Sequence, residues 1–139
     1  MNVFFDSSAL AKRYIEEKGS DQVQAILSSA SALAISVICV PEIVSALCRL
    51  RRERKLSTEE YRNAKASVLT DVDDATVIGI TEEVIAHGLA LLEQFSLRSA
   101  DALHIACASE WATDLFVSAD DRQCKAAKRR GLRIEGIGV

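Results

Sequence analysis

The sequence predicts an α/β fold, a three-layer α/β/α sandwich with a central, mostly parallel sheet. Short apolar runs alternate with longer segments of helical periodicity, and the connections are short, because only one Pro and six Gly interrupt 139 residues. Strands that alternate with helices pair in parallel and are covered by helices on both faces. The length, with 49% hydrophobic and 27% charged residues, predicts a single domain over residues 1–139 around one core.

The first part of the chain predicts two strands, each followed by a helix. Residues 2–6 form a short apolar run that ends in an acid, and residues 7–17 carry apolar side chains at helical spacing. A second helix follows Gly19, and residues 32–37 are a second buried strand.

Two further helices follow the second strand. Pro41 opens one of them, since the first turn of a helix does not need the N–H that Pro lacks. Ser57 and Glu60 have the spacing of a capping box and begin a polar helix that runs to about residue 70.

The second half of the chain repeats the alternation. The helix at 98–112 has almost no polar face, so we expect it to be buried. The predicted strands are 75–80, 114–118 and 132–134, and the predicted helices are 81–92, 98–112 and 121–130.

Charge and cysteine content limit the function. Seventeen Lys and Arg against 20 Asp and Glu give a formal net charge of −3, which argues against binding nucleic acid or an anionic membrane through bulk charge. The four cysteines lack CxxC or zinc-ligand spacing, and an acid interrupts the N-terminal apolar run before it could form a signal peptide. We therefore expect a cytoplasmic protein with reduced thiols and no membrane association.

Three acids follow or flank predicted strands and should converge. Asp6 ends the first strand, Glu42 follows Pro41 in the first turn of a helix, and Asp120 follows the strand that ends near residue 118. The carboxyl ends of parallel strands lie along one edge of a sheet, where ligands bind. Each acid also lies near a helix N-terminus, which favours its ionised form.

A fourth acid, Asp101, lies early in the apolar helix and needs a cation. Burying an ionised carboxylate without a partner is costly, so either Arg98, three residues earlier, or a metal ion is the natural partner. Taken singly, Asp6, Asp120 and Asp121 could be N-caps and Glu42 could complement a helix dipole. Taken together, the four carboxylates favour a hard cation, Mg²⁺ or Mn²⁺, and phosphodiester hydrolysis.

Four short segments resemble, in this order, the successive motifs of PIN-domain ribonucleases, with the VapC-type toxins the nearest match. They are FDSSALAK at 5–12, PEI at 41–43, RSADALHIA at 98–106 and VSAD at 117–120. The resemblance covers essentially the whole chain. It implies a PIN-like fold and a metal-dependent endoribonuclease of a bacterial or archaeal toxin–antitoxin pair.

The resemblance also implies roles for individual residues. The acidic quartet of the family matches Asp6, Glu42, Asp101 and Asp120. Ser8 and Ser118 match small hydroxyl positions that hydrogen-bond a metal ligand or its water, although Thr is common at the second position. Asp121 directly follows Asp120, and its role is open; the spacing from Ser118 favours Asp120 as the ligand.

Two basic segments could position RNA beside these acids. Residues 49–55 carry five basic residues against one acidic, and residues 122–133 carry six with none. The alternative is that both are solvated helix faces. The candidate RNA contacts are Arg49, Arg52, Arg98, Arg122 and Lys125.

The sequence also predicts binding partners and leaves more than one function open. The resemblance implies an RNA substrate, a cognate antitoxin protein and a homodimer. A catalytically silent RNA- or protein-binding module is the alternative function, and a phosphotransfer domain is disfavoured because Ser8 stands where such a site would carry a second Asp. His104, three residues after Asp101, is either a catalytic group or a hydrogen-bonded core histidine.

Overall fold

Five parallel strands form one sheet in the computed structural model, which describes residues 1–138. The strand order is β3-β2-β1-β4-β5, so the first strand is central. Phe4 in this strand pairs with Ala34 on one side and with Phe116 on the other. The strands are β1 (Asn2–Phe5), β2 (Ala32–Ser36), β3 (Thr76–Ile78), β4 (Leu115–Ser118) and β5 (Ile134–Gly136).

Within residues 1–138, seven α-helices cover the two faces of the sheet. Val3 and Phe5 point to a core shared with the first four helices, and Phe4 points to a second core shared with the last three. The helices are α1 (Ser7–Leu10), α2 (Ser20–Ser29), α3 (Cys39–Arg52), α4 (Thr58–Asp73), α5 (Glu82–Gln94), α6 (Ser99–Glu110) and α7 (Asp121–Arg129). The predicted three-layer α/β/α architecture is confirmed.

The predicted helix at 7–17 was wrong in its length. Helix α1 stops at Leu10, and a 3-10 turn over Ala11–Arg13 follows. Tyr14 and Arg13 instead bind the carboxylate of Asp71 on α4, at 2.7 Å each. These contacts with a distant helix outweigh the local helical periodicity, which carries no information about them.

Smaller differences lie at other boundaries. Helix α3 begins at Cys39, so Pro41 lies inside the first turn instead of opening it. Strand β5 begins at Ile134, two residues later than predicted, because Gly131 turns the chain in the left-handed region (φ +91°) and Ile134 is the residue that pairs with Phe116.

The expectation that the helix at 98–112 is buried is confirmed. Seven of its twelve residues are buried, including Asp101 and His104. All four cysteines are free. Within residues 1–138 no helix is both long and apolar enough to cross a membrane.

Candidate active site

Asp6 lies at the carboxyl end of the central strand and is fully buried. It caps α1 by accepting a hydrogen bond from the Ala9 backbone N–H at 2.9 Å. The Ser8 hydroxyl donates to the same carboxylate at 2.8 Å, and Ser118 Oγ donates to Oδ2 at 2.6 Å. Burial nevertheless outweighs these hydrogen bonds and raises the pKa of Asp6 above its usual value. An ionised Asp6 would therefore gain from a nearby cation.

Asp120 follows β4 and is connected to Asp6 through Ser118. The Asp120 backbone N–H donates to Ser118 Oγ at 3.0 Å, and Asp120 Oδ1 accepts from the Arg122 N–H at 2.9 Å as the N-cap of α7. Asp121 instead forms an exposed ion pair with Lys125 at 2.9 Å. Of the two adjacent acids, Asp120 is the one that lies beside the other site residues.

Asp101 contacts Arg98, one of the two partners that the sequence suggested for this buried carboxylate. Asp101 Oδ2 accepts from the Arg98 backbone N–H and from Nε, both at 3.3 Å, while Gln123 donates to Oδ1 at 3.0 Å. The same guanidinium lies 3.9 Å from Asp120 Oδ2. Hydrogen bonding to Asp101, with the charges of Asp120 and Glu42, raises the pKa of Arg98. Two carboxylates, those of Asp101 and Asp120, thus contact one guanidinium.

Glu42 lies in the first turn of α3 and is anchored from two other helices. Ser7 Oγ donates to Glu42 Oε1 at 2.6 Å, and His104 Nε2 lies 2.6 Å from the same oxygen. Burial works against ionisation of Glu42, but these hydrogen bonds outweigh it and lower the pKa of the carboxyl group. His104 is thus a buried core histidine that also contacts a candidate site residue.

Two residues that the sequence did not single out hold the candidate acids. Ser7 donates a hydrogen bond to Glu42. The sequence feature that could have pointed to Ser7 is its position directly after Asp6, at a predicted helix start. Gln123 donates a hydrogen bond to Asp101. The sequence feature that could have pointed to Gln123 is a polar side chain on the apolar face of α7. Neither contact follows from local spacing, because each joins residues at least 22 positions apart.

The donor set fits a hard divalent cation in its chemistry. Carboxylates and hydroxyls are the oxygen ligands that Mg²⁺ and Mn²⁺ prefer, and the candidate cluster contains no thiolate. As the side chains stand, no group of three His, Cys, Asp or Glu within residues 1–138 has the spacing of a metal site. Arg98 lies between two of the carboxylates, and its side chain is 79% exposed, so it can leave them without giving up buried contacts.

Four of the five candidate RNA contacts lie on two exposed helix segments, and the fifth, Arg98, is the N-cap of α6. Arg122 and Lys125 are in the first turns of α7, which Asp120 caps. Arg49 and Arg52 are in the last turn of α3, roughly 10 to 15 Å along the helix from Glu42 at 1.5 Å per residue. The α7 segment is therefore the closer of the two to the acids.

These features define a class of protein, and the chain belongs to the PIN-domain family, whose model matches residues 3–129. Among curated relatives, ribonuclease VapC46 of Mycobacterium tuberculosis (strain ATCC 25618 / H37Rv) is 30% identical over 136 residues, 95% of each chain. Ribonuclease VapC45 of M. tuberculosis (strain CDC 1551 / Oshkosh) is 30% identical over 106 residues, 76% of this chain and 74% of its own.

Solved structures share the fold at lower sequence identity. VapC20 of M. tuberculosis, described as a sarcin-ricin loop cleaving toxin, superposes with a TM-score of 0.68 at 15% identity, covering 99% of this chain and 98% of its own. DNA-bound VapBC from Salmonella typhimurium gives a TM-score of 0.70 at 13% identity, covering 98% of both chains. The resemblance to VapC-type PIN domains is thereby confirmed.

Proposed function

We propose that this chain is a metal-dependent endoribonuclease, the toxin of a toxin–antitoxin pair, that hydrolyses RNA phosphodiester bonds at Asp6, Glu42, Asp101 and Asp120. The observation that carries the proposal is the set of contacts that links these four acids. Ser118 connects Asp6 with the Asp120 backbone, and Arg98 lies between Asp101 and Asp120. Glu42 contacts His104, which lies three residues after Asp101 on α6. The ribonuclease names of the curated relatives support the same chemistry.

Mg²⁺ or Mn²⁺ would be held by the four acids Asp6, Glu42, Asp101 and Asp120. When bound, such an ion stabilises charge that develops on the phosphate and activates the attacking water. The protein's part is to hold the donors in place: Ser8 and Ser118 fix both oxygens of Asp6, and Gln123 fixes one oxygen of Asp101. The Glu42 side chain is 38% exposed, so its carboxylate would be open to the attacking water.

RNA and protein partners follow from the same assignment. We place the RNA backbone along Arg122 and Lys125, with Arg98, Arg49 and Arg52 as further phosphate contacts. A cognate antitoxin is supported by the structural neighbours, which include VapBC complexes. A homodimer and a cytoplasmic location complete the proposal.

A catalytically silent PIN-fold binding module is the second candidate. It is favoured by Arg98, which neutralises Asp101 and Asp120 without a metal ion. Titration with Mn²⁺ separates the two functions: a silent module binds RNA and no divalent ion.

The test is cleavage of a structured RNA by the purified chain, free of antitoxin, with Mg²⁺ or Mn²⁺ and again in EDTA. We expect cleavage that EDTA abolishes and that either ion restores, and loss of cleavage in Asp6→Asn. Cleavage that persists in EDTA, or undiminished in Asp6→Asn, would contradict the proposed mechanism.

A further inference from the structure

We propose that His104 and Ser7 are positioning residues that hold one oxygen of Glu42, Oε1, so that the other, Oε2, is presented to the site in a fixed direction. The inference rests on the proposed function and adds two residues to it. Glu42 itself would be the group that acts, and His104 and Ser7 would act only through it.

The geometry joins three helices at one carboxylate oxygen. Ser7 is the first residue of α1, Glu42 lies in the first turn of α3, and His104 lies one turn after Asp101 on α6. Both contacts to Glu42 Oε1 are 2.6 Å, and Ser7 Oγ is also 3.2 Å from His104 Nε2. Within residues 1–138 no hydrogen bond reaches Glu42 Oε2, so the two carboxylate oxygens have different environments.

Glu42 needs such an anchor. Its side chain is 38% exposed, and a glutamate is among the residues that lose most rotamer freedom when fixed. A carboxylate that is free to rotate would offer its second oxygen to the site for only part of the time. Two short hydrogen bonds to one oxygen, one of them from a buried ring, remove that freedom.

The burial of His104 supports a dedicated role. The ring is 1% exposed, and its Nδ1 has no hydrogen-bond partner within residues 1–138. A buried polar atom without a partner is unfavourable, so a histidine that served packing alone would be poorly matched to this position. The polar contacts of the ring are both made by Nε2, to Glu42 and Ser7.

The test compares His104→Leu, which removes the donor, with His104→Gln, whose side-chain amide nitrogen can reach the place of Nε2. Ser7→Ala removes the second anchor. His87→Leu is the matched control, because His87 is partly exposed and pairs with Glu110 away from these acids. The readouts are kcat and KM for RNA cleavage, the Mn²⁺ dissociation constant, and the melting temperature.

We expect His104→Leu and Ser7→Ala to lower kcat by about 10–100-fold with little change in KM, as is typical for groups that orient a metal ligand. His104→Gln should recover most of the loss, and His87→Leu should match the wild type. In a Glu42→Gln background, His104→Leu should cause no further loss, because the group that it positions is already disabled.

Equal losses in His104→Leu and His104→Gln, or a His104→Leu loss that persists undiminished beside Glu42→Gln, would overturn the inference. If His104→Leu does not fold, Ser7→Ala alone and in the Glu42→Gln background decides the question. Failure of the proposed function is recognised separately, by cleavage that survives Asp6→Asn or EDTA.

The imidazole N–H signals give a readout that is independent of turnover. With two histidines in the chain, the ring spectrum is simple, and the buried His104 N–H should exchange slowly with water. Glu42→Gln should shift this signal and leave that of His87 in place. An unchanged His104 signal would contradict the contact.

Discussion

At Asp6 one side chain both begins a helix and lies at the centre of the candidate site. The Asp6 carboxylate accepts from the Ala9 N–H through Oδ1, which makes it an N-cap, and from Ser118 through Oδ2, which connects it to Asp120. The position of Asp6 at the end of a strand could be predicted from the sequence. Its full burial, and the resulting rise in its pKa, depend on packing that local patterns do not contain.

The Ser118 hydroxyl should set the acid limb of the pH profile. It donates to Asp6 and thereby favours the ionised carboxylate, so Ser118→Ala should raise the pKa of Asp6 still further. If cleavage needs ionised Asp6, the acid limb of kcat/KM then moves to higher pH. Ser109→Ala, which removes a hydroxyl that donates to the Ile105 carbonyl within α6, is the control. An acid limb that is the same in wild type and Ser118→Ala would contradict this role.

At the scale of elements, the sequence predicted every strand and the order of the helices, but not where the first helix ends. The apolar spacing of Leu10, Tyr14 and Ile15 is helical, yet α1 stops at Leu10. Tyr14 and Arg13 are held instead by Asp71, which is 57 or more positions away. A contact over that distance leaves no periodic signal in the sequence.

This contact should stabilise the fold in a pH-dependent way. Burial opposes ionisation of Asp71, but the hydrogen bonds from Arg13 and Tyr14 outweigh it and lower its pKa. A carboxyl group whose pKa is lowered on folding stabilises the folded state at pH values above its unfolded pKa, near 3.8. That stabilisation is lost as the pH falls through the folded pKa. Asp71→Asn should therefore lower the free energy of unfolding by about 1–2 kcal/mol at neutral pH, and by much less in acid.

Urea unfolding of wild type and Asp71→Asn at neutral pH and at about pH 3 measures the difference. Asp73→Asn, an exposed acid on the same helix, is the control. A cost for Asp71→Asn that stays the same at both pH values would show that the charge of Asp71 does not matter.

The basic face of α7 should raise RNA affinity without taking part in the chemistry. Arg122 and Lys125 are exposed and lie two and five residues after Asp120. Reversing both to Glu should raise KM by at least ~10-fold at low salt and leave kcat nearly unchanged, since phosphate contacts position RNA.

The control is the same change in charge at Arg62 and Lys65, which are exposed on α4. Equal effects of the two double variants on KM would show that only the net charge of the protein matters, and that α7 is a solvated face.

At the scale of the whole molecule, the excess of acidic over basic residues comes from the candidate site. The formal net charge is −3, and the four candidate ligands alone more than account for it. Outside them, positive charge is concentrated in two segments. An enzyme of this kind would bind RNA at specific places on its surface instead of through bulk attraction.

The parallel sheet and its two helical layers could be predicted from alternation alone, but the strand order could not. The central strand β1 is buried on both faces, so Val3, Phe4 and Phe5 are all apolar and do not reveal which face each one occupies. The candidate acids could be located because each ends a strand or begins a helix. Two of their anchors, Ser7 and Gln123, could not, and neither could the contact of His104 with Glu42, because these residues meet the acids only after the helices pack.

The measurement that tests the central claim most directly is RNA cleavage under single-turnover conditions by Asp101→Asn beside Asp121→Asn. Asp101 lies in the acid cluster, while Asp121 pairs with Lys125 in solvent. Removing a residue that only orients a metal ligand typically lowers metal affinity or activity by about 10–100-fold. Removing the ligand itself should therefore slow cleavage by more than ~100-fold. We predict that loss for Asp101→Asn and a rate close to wild type for Asp121→Asn. Cleavage by Asp101→Asn at the wild-type rate would contradict a nuclease centre built on these four acids.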